Sequence, residues 1–504
     1  MSCHLRNLLD KAVAETVNSY SKNHGNSLTP KQGHANPERH SLVSEKKKVF
    51  LHRASLLDDL MEVEHFRTIY HMFVAVLCVF VISTLAVGFI DQGRLVLDFD
   101  LLLYTFGQLS TVAWSWLCLF MYTLLVPYRA MYWWGSLYPN SNHPLVLSVA
   151  VGGLLLVCYI SVLGVFPIYV VTQYKLPPAS SSIILIEQIR FVMKSYSFLR
   201  EAVPRILFKE KKEVQLPKFS SYLYFLFCPT LIYKDSYPRT PCIRWNYVAK
   251  NFAQFIGCLF FGYYIMGTLC IPFFTNMSKQ PFSTKTLVLS IFHAILPVFT
   301  LISIFCFLSD CALNAFAESL VFADRMFYKD WWNSTSFSNY YRTWNVVVHD
   351  WLYHYLYQDL LWLCRQRFRT GVMLTVFFVS ASVHEYVLIL SLGYFYPVMF
   401  CLFAIFGVLF NIMINDKRTS PIWNVMVWTF LFIGQGIQLC LYFQEWYARI
   451  HCPLKEVQMH IECKLHRDLS EEREERETGK FHSLVIFSSH SYMDNQVVQC
   501  PPTC

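Results

Sequence analysis

Charge is scarce in this chain. Only 15% of its 504 residues are Asp, Glu, Lys or Arg, against 55% hydrophobic and 17% aromatic residues. That balance excludes an ordinary soluble enzyme, because several windows run for about eighteen or more nearly uncharged residues, the length that crosses a bilayer. No CxxC pair or Cys/His ligand spacing occurs. Most of the seventeen cysteines stand singly, eight of them in apolar runs (Cys78, Cys118, Cys158, Cys258, Cys270, Cys306, Cys401, Cys440), so neither zinc nor a disulfide framework is indicated. The first fifty residues lack the apolar core of a signal peptide, so the first membrane helix is expected to direct its own insertion. The formal charge of +8 is modest and its basic residues cluster beside apolar runs, as topology signals and not as a nucleic-acid surface.

What is present is a succession of membrane-grade segments. We expect an all-α polytopic membrane protein with about nine spans, at residues 69–90, 101–126, 145–171, 182–198, 248–274, 286–308, 371–392, 398–414 and 425–442. The fourth carries Glu187, Gln188, Arg190 and Lys194, so it is either buried among its neighbours or flat on the surface. Residues 1–45 are polar and aperiodic, a disordered cytosolic arm. Within residues 46–68, Leu56, Leu57, Leu60 and Val63 recur at helical intervals; this is an amphipathic membrane-surface helix or a solvated linker helix. Lys46, Lys47, Lys48, Arg53 and Arg67 precede the first span, and Asp91, Asp98 and Asp100 follow it, which places the N-terminus in the cytosol and, after nine crossings, the C-terminus in the lumen.

The segment that departs most from this pattern is 327–386. A Trp-rich string, Phe327-Tyr328-Lys329-Asp330-Trp331-Trp332-Asn333, is followed by Asn345 and His349, four residues apart and so on one face if helical. Then comes an apolar run with His384 at its centre. An ionisable group there faces a cavity, a partner or a reaction; the plainer alternative is a core histidine satisfied by a neighbouring helix. Glu385 adjoins it, but helical neighbours diverge by about 100°, so the two are not a dyad.

The string Phe327, Tyr328, Asp330, Trp331, Trp332, Asn333 matches the FYxDWWN signature of the sterol and diacylglycerol branch of the membrane-bound O-acyltransferases, and His384 stands where that family has its intramembrane histidine. The run through Asn345, His349 and Trp351 to Tyr353 resembles the sterol O-acyltransferases more than the diacylglycerol enzymes, and Gly434–Gln438 resembles their second isoform. The resemblance covers about residues 50–453. It implies helices around an intramembrane chamber, an acyltransferase domain at 69–453, cholesterol and long-chain acyl-CoA as substrates, a homodimer or tetramer within membrane lipid, and residence in the endoplasmic reticulum. It implies further that Asn339, Arg342, Tyr357, Ser380 and Asn411 line the acyl-CoA channel, with Arg369 where the family often has Lys. The tail departs from the family: residues 454–504 turn Glu- and Arg-rich, and Cys463, Cys500 and Cys504 are alternative partners for Cys452, whose family disulfide does not match in spacing.

Acyl transfer from a thioester to an alcohol needs a base, donors for the oxyanion, and exclusion of water. We expect His384 to be the base in an apolar chamber, Asn345 to orient the thioester or stabilise the oxyanion, and His349 to support them. There is no Ser or Cys nucleophile elbow, no metal and no cofactor beyond acyl-CoA as co-substrate. Taken singly, these polar residues also fit surface or helix-packing roles, and the FYxDWWN aromatics an interfacial anchor. The rivals are diacylglycerol acylation, a transporter with His384 on a proton path, and a silent lipid-binding protein.

Overall fold

The computed structural model describes residues 48–92, 100–207, 216–278, 283–413 and 420–451. The arm at 1–45, the basic loop residues Lys209, Lys211 and Lys212, the turn at 415–418 and the tail with Cys452 lie outside the described residues. Among the described residues the architecture is helical, with two isolated β-bridges and no named strand.

The principal helices, in order, are α1 (Leu56–Glu62), α2 (Glu64–Gln92), α3 (Leu109–Leu137), α4 (Pro144–Gln173), α5 (Pro178–Leu207), α6 (Phe219–Phe227), α7 (Trp245–Met277), α8 (Thr284–Ser319), α9 (Phe337–Thr343), α10 (Val346–Trp351), α11 (Arg369–Leu392), α12 (Val398–Met413) and α13 (Pro421–His451), with short helical pieces at Asp100–Thr105 and Gln358–Leu363. Seven helices among the described residues are long and apolar enough to cross a membrane. Two of the nine expected spans fall outside that set. The fourth, now α5, carries too much charge, and the eighth, now α12, is too short.

For α5 the structure decides between the two readings left open above. The helix is packed inside the bundle against α3 and α11, with Ile184, Leu185, Phe191, Phe198 and Ala202 buried. Its charges are satisfied locally, as low-dielectric burial demands. Arg190 donates to Glu187 at 2.6 Å, and Glu187 also accepts from Trp116 Nε1 at 2.6 Å. Lys194, 1% exposed, donates to the carbonyls of Phe225, Leu226 and Cys228 at 2.7, 2.9 and 2.7 Å, capping the C-terminal end of α6.

The expected surface helix at 46–68 begins where its periodicity does and not at the start of that range. Helix begins only at Leu56; before it the chain is extended, because Arg53 N donates to the Ala323 carbonyl and the Arg53 carbonyl accepts from Arg325 N. Phe50 lies edge-on to Tyr237 and Phe322 at 5.2 and 6.2 Å. Packing that ring on Tyr237 and Phe322 outweighs a weak local helical preference.

Among the described residues four stretches are π-helical: Tyr159–Val165 in α4, Met266–Cys270 in α7, Leu352–Tyr357 after α10 and Cys401–Gly407 in α12; the third ends on Tyr357, an expected site residue.

Candidate active site

The FYxDWWN string is a bracket. Its backbone pairs with the joint between α9 and α10: Lys329 N donates to the Thr343 carbonyl and Val346 N to the Phe327 carbonyl, both at 2.9 Å. Its carbonyls hold α13, since the Trp332 oxygen accepts from Asn424 Nδ2 at 2.8 Å and Trp428 Nε1 at 3.1 Å. Trp331 packs edge-on to Trp344 at 4.8 Å and tilted on Trp428 at 5.7 Å. Phe327 is buried at 3% exposure, Tyr328 is half-buried, and Asp330 and Asn333 are exposed at the ends of one short turn. The aromatics thus pack inward between the joint and α13.

Asn345 stands at that joint. The expectation that it shares a helical face with His349 needs correction, because Asn345 is the N-cap of α10, outside the helix, with φ −137°. Its Oδ1 accepts from Val348 N at 3.1 Å. Asn is a favoured N-cap because its side-chain oxygen satisfies a first-turn N–H. The cap leaves both Nδ2 amide hydrogens for a further partner, on a residue that is exposed.

His349 sits one turn into α10, its Nδ1 3.6 Å from Asp350 Oδ1 and its ring parallel to Tyr353 at 6.4 Å; Tyr353 in turn stacks on Tyr357 at 5.8 Å. Asp350 is also ion-paired with Lys48. Burial works to raise the Asp350 carboxyl, but the neighbouring His349 imidazole and the Lys48 ammonium outweigh it and hold it below its ordinary range.

A cleft of about 560 Å³ brings Asn339, Arg342 and His349 together with Lys329, Ser336 and Asp350. Asn339 Nδ2 donates to Ser334 Oγ at 3.2 Å, and Arg342 Nε to the Ser338 carbonyl at 3.0 Å. With Lys329 and Arg342 on its wall and Asp350 already neutralised by Lys48, the cleft suits a phosphorylated group. Lys329 is the variable position of the signature, and Asp350 follows His349 directly; both were visible in the sequence but carried no separable signal there.

His384 lies on α11, outside that cleft. Its Nδ1 bonds the Ser380 carbonyl at 2.7 Å, and its ring is tilted on Phe403 of α12 at 5.5 Å. A carbonyl only accepts, so Nδ1 is the donor in this bond, and in the neutral imidazole Nε2 is then the acceptor nitrogen. Among the described residues, nothing bonds Nε2. The residue is exposed, which sets aside the core histidine satisfied by a neighbouring helix. Tyr341 of α9 joins the two halves of the site, 5.4 Å from Phe377 and 5.3 Å from Phe403.

The remaining expected residues are dispersed. Ser380 acts through its carbonyl, Arg369 is exposed at the start of α11, and Tyr357 continues the ring stack from His349. Asn411 presents a buried Oδ1 that has no partner among the described residues.

Comparison with known proteins places the chain in a family. The sequence profile of the membrane-bound O-acyltransferase family matches residues 99–444. The chain is 56% identical over 454 residues to sterol O-acyltransferase 2 of Mus musculus, and likewise to that of Homo sapiens, covering 90% of this chain and 86% of each relative. It is 58% identical over 416 residues to sterol O-acyltransferase 1 of Mus musculus, covering 82% of this chain and 77% of that one. The alignments with the type-2 proteins are the longer, in the direction of the Gly434–Gln438 resemblance.

Proposed function

The chain belongs to the membrane-bound O-acyltransferase family and is an acyltransferase, and from this we propose that it esterifies cholesterol. In this reading it transfers a long-chain fatty acyl group from acyl-CoA to the sterol 3-hydroxyl in the endoplasmic reticulum membrane, with its N-terminus cytosolic, its C-terminus lumenal, and a dimer or tetramer as the working form. The sterol class is supported by the identity to proteins named sterol O-acyltransferases.

The observation that carries the chemistry is the bond from His384 Nδ1 to the Ser380 carbonyl, which leaves Nε2 as the acceptor. Nε2 takes the proton of the sterol hydroxyl as its oxygen attacks the thioester carbonyl. The C–S bond then breaks, and the same proton passes to the departing thiolate, giving ester and free coenzyme A. Asn345, its oxygen committed to the cap, offers amide hydrogens to the oxyanion. His349, Asn339, Arg342 and Lys329 hold the cosubstrate's polar end, and no metal or further cofactor takes part.

The test is a competition assay on purified protein, with labelled oleoyl-CoA, cholesterol and diacylglycerol together. Cholesteryl oleate as the product supports the reading; triacylglycerol moves the acceptor to a glyceride, and no ester from folded protein removes the enzymatic reading.

A further inference from the structure

Glu385 takes no part in the reaction just described, yet it is a carboxylate 5% exposed in the middle of an apolar helix. Its surroundings explain how it is tolerated. Oε2 accepts from Phe400 N at 2.9 Å, and both oxygens lie 3.2 Å from the Tyr442 hydroxyl, which donates to them. The same hydroxyl accepts from Met399 N at 3.1 Å. Met399 and Phe400 open α12, where backbone N–H groups have no partner within the helix and, in a membrane, no water to replace one. A carboxylate from α11 and a hydroxyl from α13 therefore cap the first turn of α12 together. Negative charge at that end also complements the helix dipole. Three helices are joined at one polar point in otherwise apolar surroundings.

What depends on this clamp lies one turn further along α12. Phe403 is the ring that packs on His384, and it also lies 5.9 Å from Phe377; Phe400 is perpendicular to Phe378 at 5.4 Å. Between the same two helices runs an apolar groove of about 350 Å³, lined by Leu374, Thr375, Phe378, Ala404 and Val408. The hydrogen bond of His384 is to its own helix, so it cannot set where α12 lies relative to the imidazole.

We infer that Glu385 is a positioning residue for acyl transfer: with Tyr442 it sets the register of α12 on α11, holding Phe403 against His384 and fixing the width of the groove beside it. The inference rests on the reading of His384 as the base.

The experiment compares Glu385→Gln, Glu385→Leu, Tyr442→Phe and the double variant Glu385→Leu/Tyr442→Phe, with His384→Ala as reference, in purified full-length protein. 4-Fluorophenylalanine at position 403 reports by its fluorine resonance on the surroundings of that ring. Glu385→Leu is expected to lower kcat about 10- to 100-fold, the scale of a roughly 1 Å misplacement, with KM for oleoyl-CoA unchanged within about twofold. Its fluorine resonance should shift or broaden. Glu385→Gln, which keeps one acceptor for Phe400 N, should recover most of the turnover, and the double variant should be no worse than Glu385→Leu, as expected of two parts of one clamp. Unchanged kcat in folded Glu385→Leu overturns the proposal, as does a fall in kcat with the position-403 resonance unmoved. If Glu385→Leu does not fold, Tyr442→Phe carries the same two readouts. Normal turnover in His384→Ala would remove the base, while the fluorine resonance would still judge the clamp.

Discussion

Lys48 and Asp350, 302 residues apart in sequence, form an ion pair at the edge of the cleft that holds His349. The pair pins the extended segment before α1 to the first turns after Asn345, and Asp350 faces both Lys48 and His349. Their side chains are 16% and 20% exposed, so this is more than a screened surface contact.

Lys48→Ala leaves Asp350 half-buried without its cation. We expect a loss of about 1–3 kcal/mol in stability, read as a lower thermal midpoint, with Lys48→Arg recovering most of it. A midpoint unchanged in Lys48→Ala would show the pair to be incidental.

The same pair sets a pH dependence. Because the folded protein holds the Asp350 carboxyl below its ordinary range, its contribution is fully present above about pH 4 and is lost as pH falls through the lower folded value. Thermal midpoints of the unmutated protein and Lys48→Ala should therefore differ at pH 7 and converge toward pH 3. A constant difference across that range would contradict the assignment.

His384→Ala removes a ring that is exposed and bonded only within its own helix, so folding should survive. Esterification should fall by about 100- to 10,000-fold, the usual worth of a general base. Turnover per folded enzyme within tenfold of the unmutated protein would remove His384 from that role.

Asn345 can be divided into its two roles. Asp keeps the oxygen that caps Val348 N but has no N–H to offer, so Asn345→Asp should retain stability while losing about 100- to 1000-fold in kcat. Asn345→Ala should add a stability loss of about 1 kcal/mol. Equal stability of the Asp and Ala variants would argue against the cap, and full activity of the Asp variant against the oxyanion role.

Gly407 closes the π-helical stretch of α12 against Tyr341. A Cβ there would fall 2.6 Å from the Tyr341 hydroxyl oxygen but 3.7 Å from the ring carbon that bears it. Gly407→Ala should therefore displace Tyr341 from Phe377 and Phe403 and cost about 1–3 kcal/mol by overpacking. Adding Tyr341→Phe should restore most of the thermal midpoint. If the double variant is no more stable than Gly407→Ala alone, the clash lies elsewhere.

The placement of the helices was legible from residues 69–90, 248–274 and 286–308, because span length and charge exclusion are set locally by bilayer thickness. Helix α5 was ambiguous in sequence for the reason that makes it informative in the fold. Glu187, Arg190 and Lys194 look costly until their partners Trp116, Leu226 and Phe225 arrive from α3 and α6. The periodicity from Leu56 to Val63 located α1, but it does not reveal that the segment before it, within the expected 46–68 range, is captured in extended form by Phe322 and Ala323.

By itself the sequence determined the class of protein, the order of its membrane segments and the residue types able to carry acyl transfer: apolar run length, charge placement and short motifs are properties of neighbouring residues. Only the tertiary structure decided the state of each group. It committed the Asn345 oxygen to a cap, left Nε2 of His384 open, turned Asp350 toward Lys48, and satisfied Glu385 with a helix start 15 residues away and a hydroxyl 57 away. A hydrogen bond is settled by where its partner lies in space; for Asp350 and Glu385 that partner comes from a separate segment, and for Asn345 and His384 from the local turn that the fold sets.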